Sequence, residues 1–100
     1  MILAMSLMVA AFAQAHAQTI GEASYYHPDR VGLLAAHRTL PLGAHVRVIN
    51  LANGRETTVV IVGRGPFTHR RIIDVSTSAA DVLGFRQAGV ARVKIEVVDR

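Results

Sequence analysis

The sequence predicts a small, mostly β domain that closes into a barrel and carries one short helix. Three observations lead there. Short runs rich in Val, Ile and Thr are separated by turns containing Gly or Pro; the stretch Ser76–Gly84 has the caps and apolar spacing of a brief helix; and the chain has 100 residues with no cysteine. A domain of this size buries only a modest core and has no disulfide to supplement it, so strands that close on one another and leave no free edge use that core economically.

The opening segment differs from everything after it. Met1 to Ala13 is uncharged, the first ionised side chain is Glu22, and Ala15-His16-Ala17 places small residues where a signal peptidase reads. Residues 1–17 are therefore expected to be a signal peptide and residues 18–100 the domain. The apolar run is shorter than the roughly 20 residues a spanning helix needs, so no stable membrane span is expected. Without cysteine, lipidation on an N-terminal cysteine is excluded as well.

Within the domain, Thr19 to His27 reads as a first strand ended by Pro28, which has no N–H to give a ladder. Leu33 to His37 is short and apolar, and Leu40-Pro41-Leu42-Gly43 is a turn. His45 to Leu51 and Arg55 to Val62 form the clearest hairpin, with Asn53-Gly54 as a two-residue turn signal. The second arm is almost continuously apolar or β-branched, as a strand within a barrel would be. Ile72 to Val75 is a strand. Ser76 then caps a helix over Thr77 to Leu83, stopped by Gly84, with Ala79, Ala80, Val82 and Leu83 expected on its apolar side. Arg92 to Val98 alternates, placing Val93, Ile95 and Val97 inward. The architecture expected is one domain of five or six strands.

Eleven Lys and Arg stand against seven Asp and Glu, a net charge of +4, and ten of the eleven cations are Arg. Arginine captures carboxylate or phosphate in bidentate fashion, so an anionic polymer is one partner this balance allows and a solvated surface is the other reading. Nucleic acid is not expected, because export separates the chain from it and only one Lys supports a basic groove. Zinc-thiolate sites and cysteine nucleophiles are excluded. The five histidines have no ligand spacing, so no metal is expected.

Residues 63–76 carry the most chemistry. A glycine-proline loop with Arg64, His69, Arg70 and Arg71 leads into Ile72-Ile73, and the carboxylate of Asp74 follows directly. Burial there would raise its pKa and suit acid-base work, whereas pairing with Arg64, Arg70 or Arg71, or with backbone N–H groups at the helix start, would lower it and serve the fold.

The blocks Gly21-Glu-Ala-Ser-Tyr-Tyr26, Leu34-Ala-Ala-His-Arg-Thr-Leu-Pro-Leu-Gly43, Val46 to Arg55, Arg64-Gly-Pro-Phe67 and Arg71-Ile-Ile-Asp-Val-Ser76, continued by Ala79 to Gly84 and Gly89 to Val97, fall in the order found in rare lipoprotein A-like domains. The chain resembles that family over essentially all of residues 18–100. The resemblance implies a six-stranded double-psi β-barrel, exported to the periplasm or cell envelope. It would be monomeric and act without a cofactor on peptidoglycan glycan strands as a lytic transglycosylase. Such an enzyme protonates the oxygen leaving N-acetylmuramic acid while the sugar's own 6-hydroxyl closes an anhydro ring.

The chain also departs from the family pattern. The stretch between Tyr26 and Leu34 lacks the family's Asn-Gly-Glu-type turn and its acidic residue, and Gly63 stands where an aspartate precedes Arg-Gly-Pro-Phe. Two family carboxylates are missing, which would slow turnover. The residues that do match are His37 and Asp74, and these are the expected catalytic pair. His37 would shuttle a proton or bond a sugar hydroxyl, or else anchor the loop before Thr39. Tyr25 and Tyr26 face opposite ways on one strand; Tyr26 is taken as the ring that stacks on a sugar and Tyr25 as core. Arg64 would meet a substrate carboxylate or pair with Asp74, and Phe67 is expected in the core. The rival function is a glycan-binding double-psi barrel that does not cleave.

Overall fold

The computed structural model describes residues 18–99, so the expected signal segment 1–17 lies outside the described residues. Six strands, β1 (Gln18–Tyr26), β2 (Leu34–Ala36), β3 (His45–Asn50), β4 (Glu56–Gly63), β5 (Arg71–Ser76) and β6 (Ala91–Asp99), close into a barrel in the order β1-β5-β2-β4-β3-β6. One helix, α1 (Thr77–Leu83), follows β5. The β1/β5 and β2/β4 pairs are parallel and the remaining four are antiparallel. No helix among the described residues is long and apolar enough to cross a membrane.

Alternation along each strand explains the core. Val46 and Val48, Val59 and Ile61, Ile73 and Val75, and Val93 and Ile95 point inward from four different strands and are buried, with Ala23 and Ala35 filling the narrower places. Each fully buried Val or Ile contributes about 1.5–3 kcal/mol by leaving water. The alternation predicted for β6 holds, with Val97 partly buried against the same core.

The helix is built from local signals. The Ser76 hydroxyl accepts from the Ala79 N–H, and Gly84, at φ 80°, donates its N–H to the carbonyls of Ala80 and Asp81. Ala79, Ala80 and Leu83 are buried, but Val82 is 41% exposed, contrary to the sequence expectation. At 100° per residue, position 82 lies well around the helix from the stripe formed by 79, 80 and 83.

Two further expectations are corrected. The β3–β4 connection is five residues long, 51–55, and is closed by Asn50 N–H to Arg55 O at 2.8 Å and Gly54 N–H to Asn50 O at 2.8 Å. Its asparagines serve the helix: Asn50 and Asn53 each donate from Nδ2 to the Leu83 carbonyl at 3.0 Å, satisfying an acceptor at the end of α1. Phe67, expected in the core, is 79% exposed on the β4–β5 loop, and Phe85 fills the interior instead, its ring 6.1 Å from that of Tyr25.

Candidate functional site

Strand register assembles the site. Ser24 on β1 is level with Asp74 on β5, Asp74 with Ala36 on β2, and Ala36 with Gly63 on β4, so one row crosses four adjacent strands. Ile73 and Val75 point into the barrel, which turns Asp74 to the outer face, and Ser24 shares that face because its neighbour Ala23 points inward. The Ser24 hydroxyl donates to Asp74 Oδ1 at 2.6 Å.

Two of the three arginines expected to compete for Asp74, Arg64 and Arg71, are engaged elsewhere. Arg64 donates from Nη1 to the carbonyls of His37 at 3.0 Å and Leu40 at 2.6 Å. Arg71 pairs with Glu22 at 3.1 Å. Among the described residues Asp74 has no ion pair with a guanidinium, and the alternative in which it is a structural salt-bridge carboxylate does not hold.

His37 follows Ala36, one step beyond the row. Its Nδ1 accepts two backbone hydrogen bonds, from the N–H groups of Thr39 and Leu40, both at 3.1 Å, and its own N–H donates to Gly63 O at 3.1 Å. Burial, followed by the nearby charges of Arg38 and Arg64, lowers its pKa below 6.5. The ring is therefore neutral at neutral pH and carries its proton on Nε2, since Nδ1 must keep its lone pair for the two N–H donors.

Tyr26 lies two residues beyond Ser24 and shares its face, as the period of a strand requires. Burial raises its phenol pKa, the charge of Asp74 raises it further, and Arg30 opposes them. Tyr25 turns the other way, packs against the core and donates its hydroxyl to Arg86 O at 3.0 Å, as expected. Beside this row lies an open groove of about 470 Å³, walled by Tyr26, the loop His27–Arg30, Leu34, Val62 and Gly63. Of the expected site residues, Tyr26 lines the groove itself. Asp74 lies in the strand row that ends at Gly63 on the groove wall, His37 follows that row by one residue, and Arg64 is drawn into holding the His37 loop.

The sequence reading missed Ser24, although its spacing of two from Tyr26 places it on the same face. It also missed the groove wall at His27 and Arg30, for which no local pattern gives a signal. Among the described residues no group of three His, Cys, Asp or Glu stands close enough to hold a metal ion.

Comparison with known proteins agrees with this architecture. The family described as lytic transglycolase matches residues 18–95. Endolytic peptidoglycan transglycosylase RlpA of Pseudomonas aeruginosa is 46% identical over 84 residues, covering 84% of this chain and 24% of that protein. A probable endolytic peptidoglycan transglycosylase RlpA of Nostoc sp. is 57% identical over 75 residues, 75% of this chain and 20% of the other. The chain thus spans about a quarter of the length of such relatives. Among solved structures, a Clavibacter michiganensis expansin superposes with a TM-score of 0.69 at 16% identity, covering 82% of this chain and 50% of that one. The Streptomyces papain inhibitor superposes with a TM-score of 0.66 at 24% identity, covering 82% and 94%. These likenesses establish the double-psi barrel.

Proposed function

The chain belongs to the lytic transglycolase family of RlpA-like double-psi β-barrels, and on that premise we propose that it acts on the glycan strands of peptidoglycan as a lytic transglycosylase in the bacterial envelope. Asp74 is the acid-base group. It gives its proton to the leaving glycosidic oxygen as the C1–O bond breaks, then accepts the proton of the 6-hydroxyl as that oxygen closes on C1. The observation that carries this reading is a carboxylate on the outer face, bonded by a neutral hydroxyl and by no guanidinium among the described residues, in the row that ends at the groove.

His37 supplies Nε2–H as a hydrogen-bond donor to a sugar oxygen. With Nδ1 committed and its pKa lowered, it holds its proton rather than relaying one. Tyr26 offers a ring face to a pyranose, and its raised pKa keeps the hydroxyl protonated. Arg64 reaches a substrate carboxylate only through donors other than Nη1, which already holds two loop carbonyls. The reaction uses no cofactor, the chain works as a monomer, and residues 1–17 direct its export.

Incubation with purified sacculi, read by mass spectrometry, is expected to release anhydro-muropeptides, and Asp74→Asn to abolish most of that release. Co-sedimentation with sacculi and no product would instead favour the glycan-binding reading. Neither binding nor product would overturn both.

A further inference from the structure

The loop after β1 carries a second imidazole whose protonation pattern is fixed by its neighbours. Thr77, the first residue of α1, places its Oγ1 3.0 Å from the Tyr26 carbonyl and 2.8 Å from His27 Nδ1. A hydroxyl has a single proton. The carbonyl is an acceptor only, so that proton belongs to the Tyr26 oxygen, and the contact with the ring is satisfied when Nδ1–H donates to Thr77 Oγ1. The neutral ring then carries a bare lone pair on Nε2, which has no hydrogen-bond partner among the described residues.

The ring is also held in place. It stands edge-on to Tyr25, with centroids 6.4 Å apart and planes at 89°. Pro28 follows and restricts the His27 backbone. His27 is exposed and is one of the residues that line the 470 Å³ groove next to Tyr26.

We propose that His27 is a saccharide-binding residue of this groove, accepting at Nε2 a hydrogen bond from a hydroxyl or acetamido N–H of the bound amino sugar. The two imidazoles are then complementary: His37 offers Nε2–H as a donor and His27 offers Nε2 as an acceptor, each fixed by what its Nδ1 touches. A saccharide presents both kinds of group, and an acceptor held in one orientation loses little rotational freedom on binding. Thr77 is a positioning residue that acts through His27. The inference rests on the groove being the glycan site.

The test uses the full chain and an oligosaccharide of alternating N-acetylglucosamine and N-acetylmuramic acid. Imidazole nitrogen NMR above the titration range is expected to show the His27 proton on Nδ1, and to show the Nε2 resonance moving as oligosaccharide is added. His27→Phe keeps a ring against Tyr25 and removes the acceptor, and its dissociation constant is expected to rise about 3- to 10-fold, the value of one hydrogen bond. Thr77→Val, with the fold checked by circular dichroism, is expected to release the ring to both tautomers and weaken binding by a smaller factor. A His27 proton found on Nε2, or His27→Phe binding as tightly as the unsubstituted chain, would overturn the inference while leaving the groove's function standing. If the unsubstituted chain binds neither oligosaccharide nor sacculi, the functional reading fails and the role of His27 fails with it.

Discussion

The two rims of the site are built differently. On the β2 side, the His37–Leu40 turn is tied down from several directions: two N–H groups to His37 Nδ1, Arg64 to two carbonyls, and His37 N–H to Gly63 O. Arg38 adds donations to the carbonyls of Pro66 at 2.7 Å and Arg71 at 2.9 Å. On the β1 side, the loop from His27 to Gly32 is held by Thr77 against His27 and by the Ser76 hydroxyl donating to Gly32 O at 2.8 Å, and Val31 is 95% exposed at its crest. Each rim fixes the tautomer of one imidazole, but the first is braced along its length and the second is a short span pinned near its ends. The matching His37 lies on the braced rim with one departure from the family pattern, Gly63, beside it, and the other departure, the stretch between Tyr26 and Leu34, forms the open rim, so the two are open to separate tests.

The largest effect is expected at the row itself. Asp74→Asn retains an acceptor for the Ser24 hydroxyl and removes the acid, so anhydro-muropeptide release should fall about 10²- to 10⁴-fold while thermal stability changes little. A change in the opposite direction is expected at the far end of the row. Gly63 has no positive φ, and a Cβ there would meet only the Ala36 Cβ at 3.9 Å, an ordinary contact. Gly63→Asp restores a carboxylate two strands from Asp74, about 10 Å away by strand spacing, and product release is expected to rise about tenfold. No increase, in a folded protein, would show that the braced rim does not limit turnover.

Smaller effects sharpen the contrast in bracing. Arg64→Met removes both carbonyl bonds and is expected to cost about 1 kcal/mol, the donor being exposed, or about 4–8 °C in melting temperature. It should also move the His37 pKa upward, since one of the charges depressing it is gone, and an NMR titration measures that. The sign of the pH effect follows from the same depression. Because the folded pKa lies below 6.5, the unfolded chain takes the proton first; this contribution is intact above about pH 6.5 and fades as pH falls through the folded value. Urea midpoints between pH 8 and 5 should fall accordingly, and His37→Ala should flatten that part of the curve. On the open rim, Val31→Ser is expected to shift stability by no more than about 0.5 kcal/mol, since the side chain buries almost nothing.

Much of this fold was legible in the chain because its causes are local. The Ser76 cap, the Gly84 stop and the inward residues of β6 follow from helix and strand periods over a few residues. Phe67 was misread because apolarity favours burial without saying whether a loop tip reaches the core, and Phe85 occupies that interior. Asn53-Gly54 was misread because the loop's asparagines bond to the end of a helix 30 residues further on. At the site, Asp74 and His37 stood out by type and context, but the partners that decide their chemistry did not.

The amino-acid order alone determined the kinds of elements, their inward faces and the family blocks, because each is written in the spacing of neighbouring residues. Only the tertiary structure decided that Ser24, Asp74, Ala36 and Gly63 form one row, that Arg64 braces a loop instead of neutralising Asp74, and that the two imidazoles hold their protons on opposite nitrogens. A strand's period of two says which way a side chain points and nothing about the strand beside it. In a closed barrel those neighbours come from segments about 50 residues apart in the chain, and they set the hydrogen bonds of Asp74 with Ser24 and of His27 with Thr77.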